Sequence, residues 1–331
     1  MPANLYVHFP FCRRKCSYCA LYSRTGVSQA DRDAYVRRLV REVEGTGDER
    51  LETLKTIYFG GGSPAHCDLS ALAPALRPLC GEDTEFTVEL HPLDVTEPKL
   101  AELKALGVNR ISMGVQSLDD AVLSDMGRGY TVDEAERAFA LVKTHFDNAG
   151  IDLIVGYPGE EVGKWNLKRL EGWGLRHCSV YSLQNERGLK GVPDDDWTLD
   201  RLRHSAECLR AMGLERYEIS NYAVPGYECR HNLAVWRGED YLGLGDGACG
   251  RIGLKRTKFG KDELVSAEFD EKERRLFRLR TREGLDASGH PEWGPTLQNA
   301  CKQGLLSQSG EIYRLTERGT EVCDSILADL V

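Results

Sequence analysis

The chain has 331 residues, 41% hydrophobic and 29% charged, the composition of an ordinary globular protein with one large domain or one domain plus a small appendage. Its 43 Lys and Arg against 52 Asp and Glu leave a net charge of −9, which speaks against a nucleic-acid surface, normally basic. No apolar run approaches the roughly 20 residues of a membrane span, and the N-terminus lacks a basic flank followed by an apolar stretch, so neither a membrane span nor a signal peptide is expected.

Strand and helix signals alternate from the start. A short β-rich run covers 3–9, and Cys12, Cys16 and Cys19 follow it directly. Ser28 with Asp31 three residues later opens a helix whose Tyr35, Val36, Leu39, Val40 and Val43 share one face. The next strand is 55–61, and a helix over 68–79 follows. A third strand, 85–91, leads to a helix capped by Thr96 and stopped at Gly107. A fourth strand (108–115) precedes a second capping box, Thr131 to Glu134. The fifth strand is 149–156, a helix falls near 161–174, and the sixth strand is 177–183. Six β-then-α units with near-continuous apolar strands imply a parallel sheet covered by helices. Polar residues at the strand C-termini favour an α/β fold of the partial (β/α)6, TIM-like barrel type over an open sheet.

After 184 the rhythm changes to a polar loop, a helix over 198–212, a strand near 216–223 and a segment rich in Gly, Tyr and Trp. The last 60 or so residues read as helices with a hairpin, a small winged-helix-like C-terminal domain. The expected division is 1–185 for the barrel, 186–265 for its completion, and 266–331 for the small domain. Eleven cysteines, an odd number scattered apart from the first three, point away from a secreted disulfide framework and toward the cytoplasm.

Cys12, Cys16 and Cys19 are spaced C-x3-C-x2-C with no fourth cysteine. Three thiolates hold three irons of a [4Fe–4S] cube and leave the fourth iron open to a small ligand. A zinc site borrowing His8 is the alternative, at odds with the tight spacing and with a histidine inside a strand run. Arg13, Arg14 and Lys15 suit a cluster of net negative charge, and Phe9, Phe11 and Tyr18 can shield it.

This array, with an aromatic before its last cysteine and directly after the first strand, resembles the radical S-adenosylmethionine (SAM) superfamily. The resemblance implies that the amino and carboxylate groups of SAM chelate the open iron, and that reduction cleaves SAM to a 5′-deoxyadenosyl radical. It also implies the SAM-side residues: Tyr6 and Tyr18, Gly60, Gly61, Gly62 and Ser63 of the glycine loop, Glu89, Gln116, Arg128 and Asp152. Taken without it, GGG is equally a tight turn, Glu89 a core ion pair and Arg128 a surface arginine.

Motifs along residues 4 to 325 resemble the coproporphyrinogen-dehydrogenase-like branch of that superfamily. Its decarboxylating members carry one more cysteine two residues after the third ligand, and a longer N-terminal arm. Here that position is Leu21, and only five residues precede Tyr6. The heme-chaperone members carry H-N-x-x-Y-W, matched here by His231, Asn232 and Trp236, with Val235 in place of the Tyr. Neutral imidazole is a good axial ligand for heme iron, and Trp236 can wall a porphyrin. Cys229 is a further thiol that can ligate or pack. The resemblance therefore implies a [4Fe–4S] cluster and SAM, heme as bound cargo, a flavodoxin- or ferredoxin-type electron donor and a client heme protein. Coproporphyrinogen decarboxylation, or another modification of a tetrapyrrole, is the alternative.

Overall fold

The computed structural model describes residues 2–46 and 53–331. Six parallel strands lie side by side in chain order: β1 (Asn4–Phe9), β2 (Leu54–Gly61), β3 (Cys80–Leu90), β4 (Arg110–Gln116), β5 (Ala149–Val155) and β6 (His177–Ser182). Helices on the outer face return the chain between strands: α1 (Gln29–Gly45), α2 (Ala73–Leu76), α3 (Glu97–Leu106), α4 (Asp120–Met126) and α5 (Val132–His145). Ser28 caps α1 and Thr96 caps α3, while Thr131 and Glu134 form the full capping box of α5. Gly107 ends α3 in the left-handed region (φ +99°).

Two expected helices differ. Residues 68–79 form two 3-10 turns around the four-residue α2, because Pro74 and Pro78 each remove a donor from the ladder. Residues 162–173 form 3-10 turns; Gly163, Gly172 and Gly174 weaken any α-helix there.

Beyond β6 come α6 (Asp195–Ala211) and two short antiparallel strands, β7 (Glu215–Arg216) and β8 (Asn221–Ala223), which replace the single strand expected over 216–223. Helix α7 (Arg230–Trp236) then crosses to the other edge, where β9 (Tyr241–Leu244) pairs parallel with β1. Strands β10 (Cys249–Ile252), β11 (Lys255–Lys258) and β12 (Lys261–Leu264) extend that edge antiparallel. The order β12-β11-β10-β9-β1-β2-β3-β4-β5-β6-β8-β7 leaves the curved sheet open, a partial barrel. The chain ends in α8 (Ala267–Arg278), β13 (Leu285–Asp286), α9 (Gly294–Lys302), the hairpin β14 (Leu306–Ser309) and β15 (Ile312–Leu315), α10 (Glu317–Glu321) and α11 (Cys323–Ala328). This region has its own apolar cluster around Leu279, Leu285, Trp293 and Leu297. No helix among the described residues is long and apolar enough to cross a membrane.

The strands are not apolar on both faces. Leu5, Val7, Ile57, Phe59, Phe86, Val88, Ile111, Met113, Ile151 and Leu153 are buried in the main core with the helices. The alternate positions carry Tyr6, Tyr58, Glu89, Arg110, Ser112, Asp152, His177 and Ser179, and these line one central cavity of about 1240 Å³. A period of two thus places a polar lumen inside an apolar shell.

Candidate functional site

The cysteine loop leaves β1 at the C-terminal mouth of the barrel. Cys12 N–H donates to the Arg24 carbonyl (3.0 Å), which closes the loop on itself, and Lys15 Nζ ties it to Leu21 O (2.6 Å) and Ser23 Oγ (2.7 Å). Ser17 docks it against the end of α4 and on Tyr157, whose hydroxyl in turn donates to Asp125 (2.7 Å). Cys12, Cys16 and Cys19 are free, half-buried and all face the cavity. Burial raises the Cys12 thiol above its ordinary value, and the nearby Cys19 and Cys16 add to the rise. A cationic centre that binds thiolates would reverse this.

The three thiols open on one mouth of the cavity, and a cube takes three thiolates on three separate irons. His8, the ligand a zinc site would borrow, has both ring nitrogens engaged, by the Tyr6 hydroxyl (3.0 Å) and the Tyr22 carbonyl (2.9 Å).

The glycine loop after β2 fits an ammonium group. Gly61 N–H donates to Glu89 Oε2 (3.1 Å), Gly62 N–H to Phe9 O (2.7 Å) and Ser63 N–H to Phe11 O (2.7 Å), so the loop keeps carbonyls rather than donors for a guest. A Cβ on Gly60 would lie 3.0 Å from the Glu89 carboxylate, on Gly61 2.4 Å from the His8 ring, and on Gly62 2.5 Å from Phe11 O. Gly61 also has φ +105°. Gly61 and Gly62 therefore demand glycine, while a side chain at 60 would press on the Glu89 carboxylate.

Glu89 accepts from Tyr58 (2.8 Å) as well as Gly61; burial first, then the Asp152 charge, pushes its carboxyl up to about 7. Burial likewise raises Asp152, against hydrogen bonds from Ser112 (3.0 and 3.1 Å). Gln116 sits at a β-bulge with φ +73°, a strained placement for a non-glycine residue, and lines the cavity. Arg128 is buried, donates to Gly114 O (2.7 Å) and reaches Cys16 Sγ (3.5 Å) and Tyr18 OH (3.4 Å), so it is no surface arginine. The cavity thus gathers the cysteines, Tyr6, Tyr18, Gly61, Gly62, Ser63, Glu89, Gln116, Arg128 and Asp152, with Gly60 backing Glu89. Sequence reading missed Asp94, which staples the two loops together: Ser63 Oγ (2.5 Å) and Arg13 (2.6 Å) donate to it, and His66 lies 3.1 Å away. Burial alone would raise its carboxyl, yet these partners hold it well below the usual range.

Deeper in the same cavity lies His231. Helix α7 has no side-chain cap of its own; instead Glu85, on β3, accepts the backbone N–H groups of Arg230 and His231 (both 3.1 Å). The ring is flanked by Tyr58 (5.1 Å between centroids), Tyr6 and Tyr241 (6.3 Å each). Its tautomer follows from a chain of donors. Asn4 Nδ2 donates to the Asp240 carbonyl (3.1 Å), so Asn4 Oδ1 accepts from Thr56 (2.9 Å), and Thr56 Oγ1 accepts from His231 Nδ1–H (2.8 Å). Nε2 is left with a lone pair. Burial, and then the Arg110 charge, lowers the ring to about 3 and keeps it neutral.

Asn232 and Val235 also line the cavity, but Trp236 does not. It packs edge-on against Phe277 (6.0 Å) and beneath the Arg280 guanidinium (5.1 Å), at the C-terminal domain. The reason is helical: five residues advance about 140°, so Trp236 points away from His231, while Val235, four on, shares its face. Trp236 is therefore corrected from a porphyrin wall to a packing residue. Cys229 is fully buried against Glu85 (3.7 Å) and is structural.

A partial barrel that brings three cysteines, a glycine loop and a buried carboxylate to one mouth defines the radical SAM class, and the Radical SAM superfamily pattern matches residues 6–168. The chain is 31% identical to the heme chaperone HemW of Escherichia coli K12, over 98% of this chain and 97% of that one. It is 34% identical to HemW of Synechocystis, over 79% and 68%. With this identity and coverage, the chain belongs to the HemW family of radical SAM proteins. Its fold matches that of the coproporphyrinogen III oxidase of Escherichia coli with a TM-score of 0.84, covering 98% of this chain and 89% of the other at 21% identity. Membership of the superfamily implies a [4Fe–4S] cluster and SAM.

Proposed function

We propose that this chain binds heme in its central cavity with His231 as axial ligand, and passes it to a client heme protein in the cytoplasm. The observation that carries this reading is the His231 ring, neutral and clamped, with its lone-pair Nε2 at the cavity. Val235, on the same helical face, leaves more room than the tyrosine of the heme-chaperone motif. Cys12, Cys16 and Cys19 would hold the cluster. Glycine-loop carbonyls and Glu89 would receive the SAM ammonium, and Arg128 its carboxylate. Tyr6, Tyr18, Ser63, Gln116 and Asp152 complete that wall. Bound together, cluster and SAM supply one-electron chemistry, fed by a flavodoxin- or ferredoxin-type donor. The chain's own part is to orient the ligands, keep Glu89 and Asp152 out of water, and hold the Nδ1 proton of His231 on Thr56. Residues 1–185, 186–265 and 266–331 serve as barrel, heme-motif region and small cap.

The test is anaerobic. Reconstituted protein is loaded with heme and mixed with an apo-globin, and separately given SAM, reductant and coproporphyrinogen III. Heme transfer without protoporphyrinogen formation is expected; accumulating protoporphyrinogen would contradict the chaperone reading.

A further inference from the structure

Two buried donors on the cavity floor have no acceptor. Arg110 begins β4 on the lumen side and is 1% exposed. Its Nε is sealed from solvent without a partner. Across β5 lies His177, also 1% exposed, with Nε2 2.8 Å from the Tyr217 hydroxyl. That hydroxyl accepts Cys229 N–H (3.1 Å), which leaves its own proton for His177 Nε2. The imidazole proton is then on Nδ1, which is buried and unpartnered. Gly150, the β5 residue in register with His177, carries no side chain into the space between; a Cβ there would lie 2.6 Å from His177 O.

The carboxylates nearby are engaged elsewhere. Glu85 is held by the N-terminus of α7, Asp152 by Ser112, and Glu89 by Tyr58 and Gly61. A buried donor without an acceptor costs about 1–3 kcal/mol, more when charged, so two such donors facing one space suit an acceptor-only guest. A carboxylate accepts from a guanidinium fork and an imidazole N–H together.

We propose that Arg110 and His177 form a carboxylate-binding subsite on the cavity floor that takes a propionate of the bound tetrapyrrole. The assignment rests on the heme reading above. SAM also carries a carboxylate, but Arg128 marks the cluster end by its bond to Gly114 O. Arg110 lies four residues earlier on the same strand, roughly 13 Å deeper. A SAM molecule held at the cluster by its amino and carboxylate groups leaves Arg110 to the second ligand.

The experiment compares iron protoporphyrin with its dimethyl ester, which keeps the metal and ring but lacks the carboxylates. Both are titrated into the anaerobically reconstituted full chain. Wild type is expected to bind the free acid at least ~10-fold more tightly, the value of one charged hydrogen bond. Arg110→Gln should lose that preference while keeping its ester affinity and SAM affinity, and Arg110→Lys should keep part of it. The acid-against-ester comparison on wild type needs no variant to fold. Equal binding of acid and ester by wild type overturns the subsite alone. Binding of neither overturns the heme reading and the subsite with it. Loss of SAM affinity in Arg110→Gln, with the acid preference kept, assigns the site to SAM and overturns the proposal.

Discussion

Glu89 shows how one residue serves folding and ligand binding in opposite senses. Burial pushes its carboxyl up to about 7, from 4.5 for the free group. The folded value lies above the unfolded one, so the protonated form stabilises the fold fully below about 4.5, and that contribution is lost as pH rises through about 7. His231 runs the other way: lowered to about 3 from 6.5, it contributes stability above 6.5 that is lost as pH falls toward 3. In Glu89→Gln, the part of the pH dependence between 4.5 and 7 should vanish. Urea unfolding of the ligand-free protein at pH 8 should show a gain of roughly 1–3 kcal/mol. SAM affinity should fall at least ~10-fold, because an amide offers no charge to an ammonium. Unchanged SAM affinity would remove Glu89 from the SAM site.

Among the elements of the site, the loop after β2 is tightly constrained. Gly61 combines φ +105° with a His8 ring that a Cβ would strike. Gly61→Ala should displace the loop and lower stability by about 2–4 kcal/mol, read as a fall in melting temperature, with SAM binding weakened at the same time. An alanine variant as stable as wild type would show that the loop relaxes freely. Elements like this were legible in the sequence because their signals are local. All six barrel strands were read within a few residues of their ends, and the capping residues Ser28, Thr96 and Thr131 do what their spacing implied. The prolines at 74 and 78 are local signals too, and their missing donors break the expected helix over 68–79 into short turns. Trp236 follows the H-N-x-x-x-W spacing in the sequence, but the helical angle turns it from His231 toward Phe277.

At the scale of the whole molecule, the polar lumen was the least legible feature. Tyr58, Glu89, Arg110, Asp152 and His177 sit on five different strands, and only parallel pairing brings them to one cavity. The period-two signal was present, yet which polar residues meet depends on register between strands far apart in sequence. The C-terminal region depends on similar long-range packing. Trp236 and Arg237 tie α7 to it, through Phe277, Arg280 and the bidentate ion pair with Glu283. Trp236 is half-buried, so Trp236→Ala should cost about 1–3 kcal/mol in unfolding, below the range for a fully buried aromatic, and change heme affinity far less than stability. A variant of wild-type stability that fails to bind heme would return Trp236 to the heme site.

The central claim is that His231 Nε2 meets heme iron, and equilibrium heme titration of wild type and His231→Ala, followed by the Soret band, tests it most directly. Wild type should bind one heme with the spectrum of an imidazole-ligated iron. His231→Ala should bind at least ~10-fold more weakly with a shifted band, while its cluster and SAM affinity stay intact. Equal affinity with an unchanged spectrum would contradict the assignment of His231 as the ligand.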